Sequence, residues 1–235
     1  MSRSPELIGH RGAPRERPEN TLASFLRALD LGADAVELDV HATRDGVVVV
    51  HHDFVPRAES SVSALRGRPI AELTAAELAT FRVVDEPIPT LAAVLDAMGI
   101  RATVYVEIKG RGIEEAVIET IVSAPSAKRV AVHSFDHRAV VRARTIRPDI
   151  ATGILSASYL IDPENALRAA RARDYWQEGS MIDEVLVDAV HAAKGRVIAW
   201  TVNEPEHARR LASIGVDGIC TDALQIIGPA LASTS

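Results

Sequence analysis

The stretch Ala35-Val36-Glu37-Leu38-Asp39-Val40 alternates apolar and acidic residues with a period of two. In an extended strand that spacing puts Glu37 and Asp39 on one face and leaves Val36, Leu38 and Val40 on the other. The alternation returns in Thr103-Val104-Tyr105-Val106-Glu107-Ile108-Lys109, where Tyr105, Glu107 and Lys109 share a face. A carboxylate on an apolar strand is costly to bury unless it meets an ion or a counter-charge. Two strands that end in paired charges therefore describe the lining of a site, and they ask for a cation and an anionic ligand.

Outward from these two strands, short apolar runs alternate with amphipathic helical patterns along the chain, the signature of repeated βα units. Candidate strands fall at 7–10, 35–40, 103–108, 130–134, 152–155, a weak 173–175, 197–201 and 218–221, eight in number. Helix signals lie between them. Leu22, Phe25, Leu26 and Leu29 recur at helical spacing before Gly32, and Thr90 precedes Leu91, Val94, Leu95 and Met98, stopped by Gly99. Asp136, Asp162-Pro163 and Asn203-Glu204-Pro205 each open a helix, another spans about 182–193, and the last runs from about 223 to 231.

Eight strand and helix pairs in 235 residues predict an α/β fold, a TIM-type (β/α)₈ barrel. An open doubly wound sheet would need a Gly-rich first turn, and the sequence carries no G-x-G-x-x-G. The irregular part is a small insertion over about 54–88 in what reads as one barrel domain. Ahead of it, the turn Arg44-Asp45-Gly46 leads into an extra strand over 47–52, and within it Thr74-x-x-Glu77 has the pattern of a capping box.

The chain is 47% hydrophobic and 25% charged, with a net charge of −6. That balance argues against a nucleic-acid partner, because phosphate backbones are held by clustered Lys and Arg. Met1-Ser2-Arg3-Ser4-Pro5-Glu6 leads directly into a short apolar run, and no segment is long enough to span a membrane. The expectation is a cytoplasmic protein without stable membrane insertion, open to homo-oligomerisation. Cys220, the one cysteine, lies in the apolar run Gly218-Ile219-Cys220 and reads as a buried, inert thiol.

Catalytic groups of such barrels lie at the C-terminal ends of the strands. His10 ends the first strand, Glu37 and Asp39 the second, and Glu107 and Lys109 the third. Three carboxylates in one volume repel one another unless a divalent cation compensates, and all-oxygen ligation favours Mg²⁺ or Ca²⁺. The bland reading pairs the acids with Lys109 and Arg11 as a structural network. His10 and His52 come from different strands and suit proton transfer in either direction; alternation turns His51 to the opposite face. His41, His133, His137, His191 and His207 lack the support of pairing with the strand-end carboxylates and read as core or surface residues. Arg11 can contact two phosphoryl oxygens and Lys109 can add a point charge, so a phosphodiester suits the set. Trp200 and Phe135 are candidates to line the mouth.

Taken in order, His10-Arg11-Gly12, Pro18-Glu19-Asn20-Thr21, Glu37-Leu38-Asp39-Val40, Asp45-Gly46, His52-Asp53, Ile88-Pro89-Thr90-Leu91, Glu107-Ile108-Lys109, Ser134-Phe135, Trp200-Thr201-Val202-Asn203 and Gly215-Val216-Asp217-Gly218-Ile219 closely resemble the glycerophosphodiester phosphodiesterase family. The match covers nearly the whole chain. The resemblance implies a TIM-type barrel that hydrolyses small glycerophosphodiesters to sn-glycerol 3-phosphate and an alcohol with one divalent cation, in glycerol and lipid metabolism. It implies Glu37, Asp39 and Glu107 as metal ligands, His10 and His52 as the acid/base pair, Arg11 on the phosphate and Lys109 close by. The chain departs from the family after His52-Asp53: in place of a Leu-x-Arg-Thr-Thr segment it has Phe54-Val55-Pro56-Arg57-Ala58-Glu59-Ser60-Ser61. A lysophospholipase D on the same scaffold would need an apolar entrance for an acyl chain, and this insertion is largely polar. A barrel that only binds a phosphorylated ligand would be expected to lack a metal ligand or a histidine, and none is missing.

Overall fold

In the computed structural model, which describes residues 4–232, eight parallel strands close on themselves. They are β1 (Glu6–His10), β2 (Ala35–Ala42), β3 (Thr103–Ile108), β4 (Val130–Ser134), β5 (Ala151–Ser156), β6 (Asp174–Glu178), β7 (Arg196–Trp200) and β8 (Gly218–Thr221). Each pairs with its neighbours in sequence order, and β1 pairs with both β8 and β2 to close the ring. The outer helices are α1 (Leu22–Asp30), α2 (Leu91–Met98), α3 (Glu114–Ser123), α4 (His137–Ile146), α5 (Pro163–Ala170), α6 (Glu184–Ala192), α7 (Pro205–Ser213) and α8 (Leu224–Ala232). The expected (β/α)₈ barrel is the fold. The expected reading of the leader rests partly on Met1–Arg3, which lie outside the described residues.

Strand alternation sorts the core into two layers. Val36, Leu38, Val40, Val104, Val106 and Ile108 pack outward against the helices, as the sequence pattern requires. Ile8, Ala35, Tyr105, Ala131, Leu155, Trp176, Ile198 and Cys220 fill the barrel interior. Above that plug the inward positions of the first four strands turn polar. Helix entry follows the capping residues: Thr21, Thr90, Asp136, Asp162 and Asp183 each accept from a backbone N–H of the first turn.

Two elements differ from expectation. The sixth strand runs from Asp174 to Glu178, later and longer than 173–175, because Trp176 turns inward to the plug while Tyr175 packs outward. The extra strand is only Val48–Val50, antiparallel to the end of β2. Beyond it, the His51 N–H donates to the Asp39 carbonyl at 3.0 Å, which fixes where His51 and His52 leave the sheet. The insertion folds a small antiparallel sheet (Glu59–Ser60, Phe81–Val83, Glu86–Pro87) over its own apolar cluster of Val49, Leu65, Ile70, Leu73, Leu78 and Phe81. Its one-turn helix Ala75–Leu78 carries the capping box of Thr74 and Glu77. Among the described residues no helix is long and apolar enough to cross a membrane.

Candidate active site

Register brings the polar residues together. His10 lies opposite Glu37, Asp39 opposite Glu107, and Glu107 opposite His133 across successive pairs of the first four strands. The charged groups gather at the C-terminal mouth of the barrel, around a pocket of about 160 Å³ lined by His10, Arg11, Glu37, His52, Glu107, Lys109, His133 and Trp200. His52, Glu107, Lys109 and Phe135 also wall a wider cleft of about 550 Å³ that continues to Phe54, Arg111, Asp136, Arg138 and Arg142. Trp200 stands edge-on to Phe135, ring centroids 5.5 Å apart.

Both candidate proton-transfer histidines are held by a carboxylate at Nδ1. The Asp222 Oδ1 atom lies 2.7 Å from Nδ1 of His10, and Asp53 Oδ1 lies 2.8 Å from Nδ1 of His52. Asn203 donates from Nδ2 to Asp222 at 2.9 Å and accepts from its backbone N–H, so the carboxylate is itself fixed. In each ring Nε2 is left to face the chemistry. Burial of His10 works against its imidazolium, but the hydrogen bond to Asp222 and the charge of Glu37 outweigh it, and its pKa stands above the ordinary histidine value. Asp222 stands correspondingly low: burial raises it, but the hydrogen bond and charge of His10, with the Asn203 hydrogen bond and the charge of Arg11, together outweigh burial.

The three expected carboxylates are buried, and they are not equivalent. Asp39 is served by Arg11 Nε at 3.2 Å, Lys109 Nζ at 3.4 Å and Asn20 Nδ2 at 2.9 Å. Burial raises its pKa, but Arg11 and Lys109 hold it below the ordinary carboxylate value. Glu107 accepts from Lys109 Nζ at 2.9 Å, yet burial and the neighbouring Asp39 charge leave its pKa raised. Among the described residues Glu37 accepts only from the Arg11 backbone N–H, at 3.2 Å, and it stands 4.0 Å from His10 Nε2. The Arg11-Gly12 turn is tight: Gly12 has φ +93°, and a Cβ there would lie 2.7 Å from the backbone carbon of Ser24.

The residue that sequence reasoning set aside is His133. It is buried as expected of a core histidine, but a ring nitrogen and one oxygen each of Glu37 and Glu107 lie within 4.8 Å of one another. Asp39 is not a member of that group. Asp222, Asn203 and Asn20 were likewise given no role, although Asn20 and Asn203 fall in quoted motifs. The signal for His133 was its place on a strand end level with Glu107. Cys220 is fully buried in the barrel plug, and burial pushes its thiol pKa well up, which disfavours the thiolate.

A closed barrel with charge-held imidazoles, buried acids, a guanidinium and an ammonium around one mouth defines an enzyme, and the relatives identify it as a phosphoric diester hydrolase. The chain belongs to the glycerophosphoryl diester phosphodiesterase family, whose model matches residues 10–226. A glycerophosphodiester phosphodiesterase of Caldanaerobacter subterraneus subsp. tengcongensis is 34% identical over 226 residues, 92% of this chain and 93% of that protein. Another, of Bacillus altitudinis, is 30% identical over 231 residues, 92% and 94% of the two chains. Among solved structures, an Oleispira antarctica phosphodiesterase in complex with the product sn-glycerol-3-phosphate superposes with a TM-score of 0.88 at 27% identity, covering 97% of each chain.

Proposed function

We propose that this protein hydrolyses glycerophosphodiesters to sn-glycerol 3-phosphate and an alcohol, using His10 and His52 as the acid/base pair. The observation that carries the reading is two imidazoles, each held by a carboxylate at Nδ1, lining one pocket with Arg11 and Lys109. The glycerophosphodiester phosphodiesterase of Caldanaerobacter and the sn-glycerol-3-phosphate bound in the Oleispira structure support the choice of substrate.

His52 removes the proton of the attacking hydroxyl through Nε2, with Asp53 holding the imidazolium that forms. His10, whose protonated form is favoured chiefly by Asp222 against the cost of burial, donates its proton to the leaving alkoxide. Arg11 and Lys109 offset the added negative charge on the phosphoryl oxygens. The buried acids fit a divalent cation: Lys109 Nζ already draws oxygens of Asp39 and Glu107 onto one positive centre, and Glu37 has no cationic side chain within hydrogen-bonding distance. Glu37, Asp39 and Glu107 would hold Mg²⁺ or Ca²⁺, which when bound polarises a phosphoryl oxygen and lowers the pKa of a hydroxyl. The attacking hydroxyl is that of water or of the substrate's own glycerol, and a cyclic phosphate seen by phosphorus NMR during turnover identifies the second. Arg111, Arg138, Arg142 and Asp136 place charges along the outer cleft, which suits a small polar alcohol better than an acyl chain.

The test is turnover of glycerophosphocholine, glycerophosphoethanolamine and lysophosphatidylcholine with and without EDTA. The expected result is release of glycerol 3-phosphate from the first two, lost in EDTA and restored by Mg²⁺ or Ca²⁺. His10→Ala and His52→Ala should each lower kcat by about 10²–10⁴-fold. Full turnover by either variant would overturn its role, and hydrolysis of lysophosphatidylcholine alone would overturn the substrate.

A further inference from the structure

We propose that His133 is a nitrogen ligand of the cation held at this mouth, joining the carboxylates there on the side of Glu37 and Glu107, so that the centre favours Mn²⁺ over Mg²⁺ and Ca²⁺. The inference rests on the reading above that a divalent cation is bound there, and it adds a residue and a selectivity to it.

Four observations converge on His133. Its donor nitrogen and one oxygen from each glutamate lie within 4.8 Å of one another, and all three residues are buried. Its ring is 1% exposed, yet Nδ1 has no hydrogen-bond partner and Nε2 stands 3.7 Å from Glu37 Oε1, beyond hydrogen-bonding distance. A cation between Nε2 and the two glutamates would give that nitrogen a partner that the neighbouring carboxylate, at 3.7 Å, does not supply. The ring is also fixed in place: it stacks on Trp176 with centroids 4.3 Å apart and planes 22° apart, and Gly153 leaves the room Trp176 needs, since a Cβ there would lie 2.8 Å from the indole. Charge points the same way. Asp39 is already met by Arg11, Lys109 and Asn20, whereas among the described residues no Lys or Arg side chain pairs with Glu37, whose nearest ring nitrogens are His133 Nε2 at 3.7 Å and His10 Nε2 at 4.0 Å.

Donor chemistry gives the selectivity. Mg²⁺ and Ca²⁺ are hard cations that take oxygen ligands, and a neutral imidazole in their place weakens the site for them. Manganese accepts both carboxylate and imidazole and stands at the low-affinity end of the transition series, so it tolerates the oxygen majority while gaining from the nitrogen. The alternative is that His133 merely packs on Trp176.

The experiment uses Mn²⁺ itself as probe. Pulsed electron paramagnetic resonance of the Mn²⁺-loaded full-length protein should show nitrogen modulation that changes when histidine is labelled with ¹⁵N. His133→Gln should abolish that modulation and weaken Mn²⁺ binding in calorimetry about 10-fold or more, with Mg²⁺ binding much less affected. His10→Gln should keep the modulation, which assigns it to His133. If His133→Gln fails to fold, the isotope experiment on wild type and on His10→Gln still decides the case. A nitrogen-free Mn²⁺ spectrum with EDTA-sensitive turnover intact overturns the ligand role and leaves the phosphodiesterase reading standing. Absence of any bound Mn²⁺ together with EDTA-resistant turnover overturns both the ligand role and the metal dependence.

Discussion

At the scale of the residue, the site is a set of charges of which all but Glu37 have a close charged or hydrogen-bonding side-chain partner, and several of these partners are remote in sequence. Asp222 meets His10 across 212 positions because closure of the barrel sets the last strand beside the first. Its effect on His10 is measurable. Asp222→Asn removes the charge that favours the imidazolium, so the His10 limb of the pH–rate profile should move to lower pH and kcat should fall by about 10–100-fold. A kcat loss without that displacement would mean Asp222 acts only by packing. His10, Glu37, Asp39, Glu107 and Lys109 were legible because strand alternation and C-terminal position mark them within one stretch of sequence each. His133 and Asp222 were not, because no acid or base stands beside His133 in the chain and Asp222 acquires its partner only when the sheet closes.

At the scale of the element, local chemistry set most boundaries before any tertiary contact was known. Thr90, Asp136 and Asp162 each cap the helix they were expected to open, and Gly99 follows α2 with φ +54°. The sixth strand was faint because Asp174-Tyr175-Trp176-Gln177 has no aliphatic run. The small sheet of the insertion escaped notice because its strands are two and three residues long, too short for a period to register. One cap lends itself to a titration. The side-chain hydrogen bond from Arg138, then the Arg138 backbone N–H, hold the Asp136 carboxyl down to about 2 against its ordinary 3.8. A carboxyl lowered in the fold stabilises it above the ordinary carboxylate range and loses that contribution as pH falls toward about 2. Asp136→Ala should therefore destabilise the protein by about 1 kcal/mol at neutral pH in urea titration. The gap between variant and wild type should narrow between pH 4 and pH 2, on the order of the range set by ordinary and lowered carboxyl values. A gap unchanged over that range would show that the cap's charge contributes nothing.

At the scale of the whole molecule, the barrel divides its labour between its ends. The C-terminal mouth holds buried charge for chemistry, while the N-terminal end is closed by a paired network of its own, with the Tyr105 ring reaching from it toward His133 at 6.4 Å between centroids. There Arg196 donates from Nη2 to Glu6 at 2.7 Å and from Nη1 to the Tyr105 hydroxyl at 3.1 Å and to Asp174 at 3.4 Å. Asp174 is fully buried and takes a second guanidinium, Arg173, at 2.6 Å and 2.9 Å. Burial, then the charges of Asp174 and Glu6, keeps the Tyr105 hydroxyl protonated far above its ordinary range, so it acts there as a neutral donor to Glu6. The network ties β1, β3, β6 and β7, strands that are not all neighbours, across the barrel floor. Removing one member leaves charge buried without its full complement, a loss larger than the net worth of the intact pair. Arg196→Met keeps the apolar stem and deletes only the guanidinium, so packing around it is largely retained. It should lower stability by about 3 kcal/mol, read as a fall in the urea midpoint at constant slope. Turnover at saturating substrate and metal should stay close to wild type, because the apolar side chains of Ile8, Leu155, Trp176 and Ile198 stand between the floor's charges and the mouth. An equal loss in turnover and stability would show instead that the floor network positions the mouth.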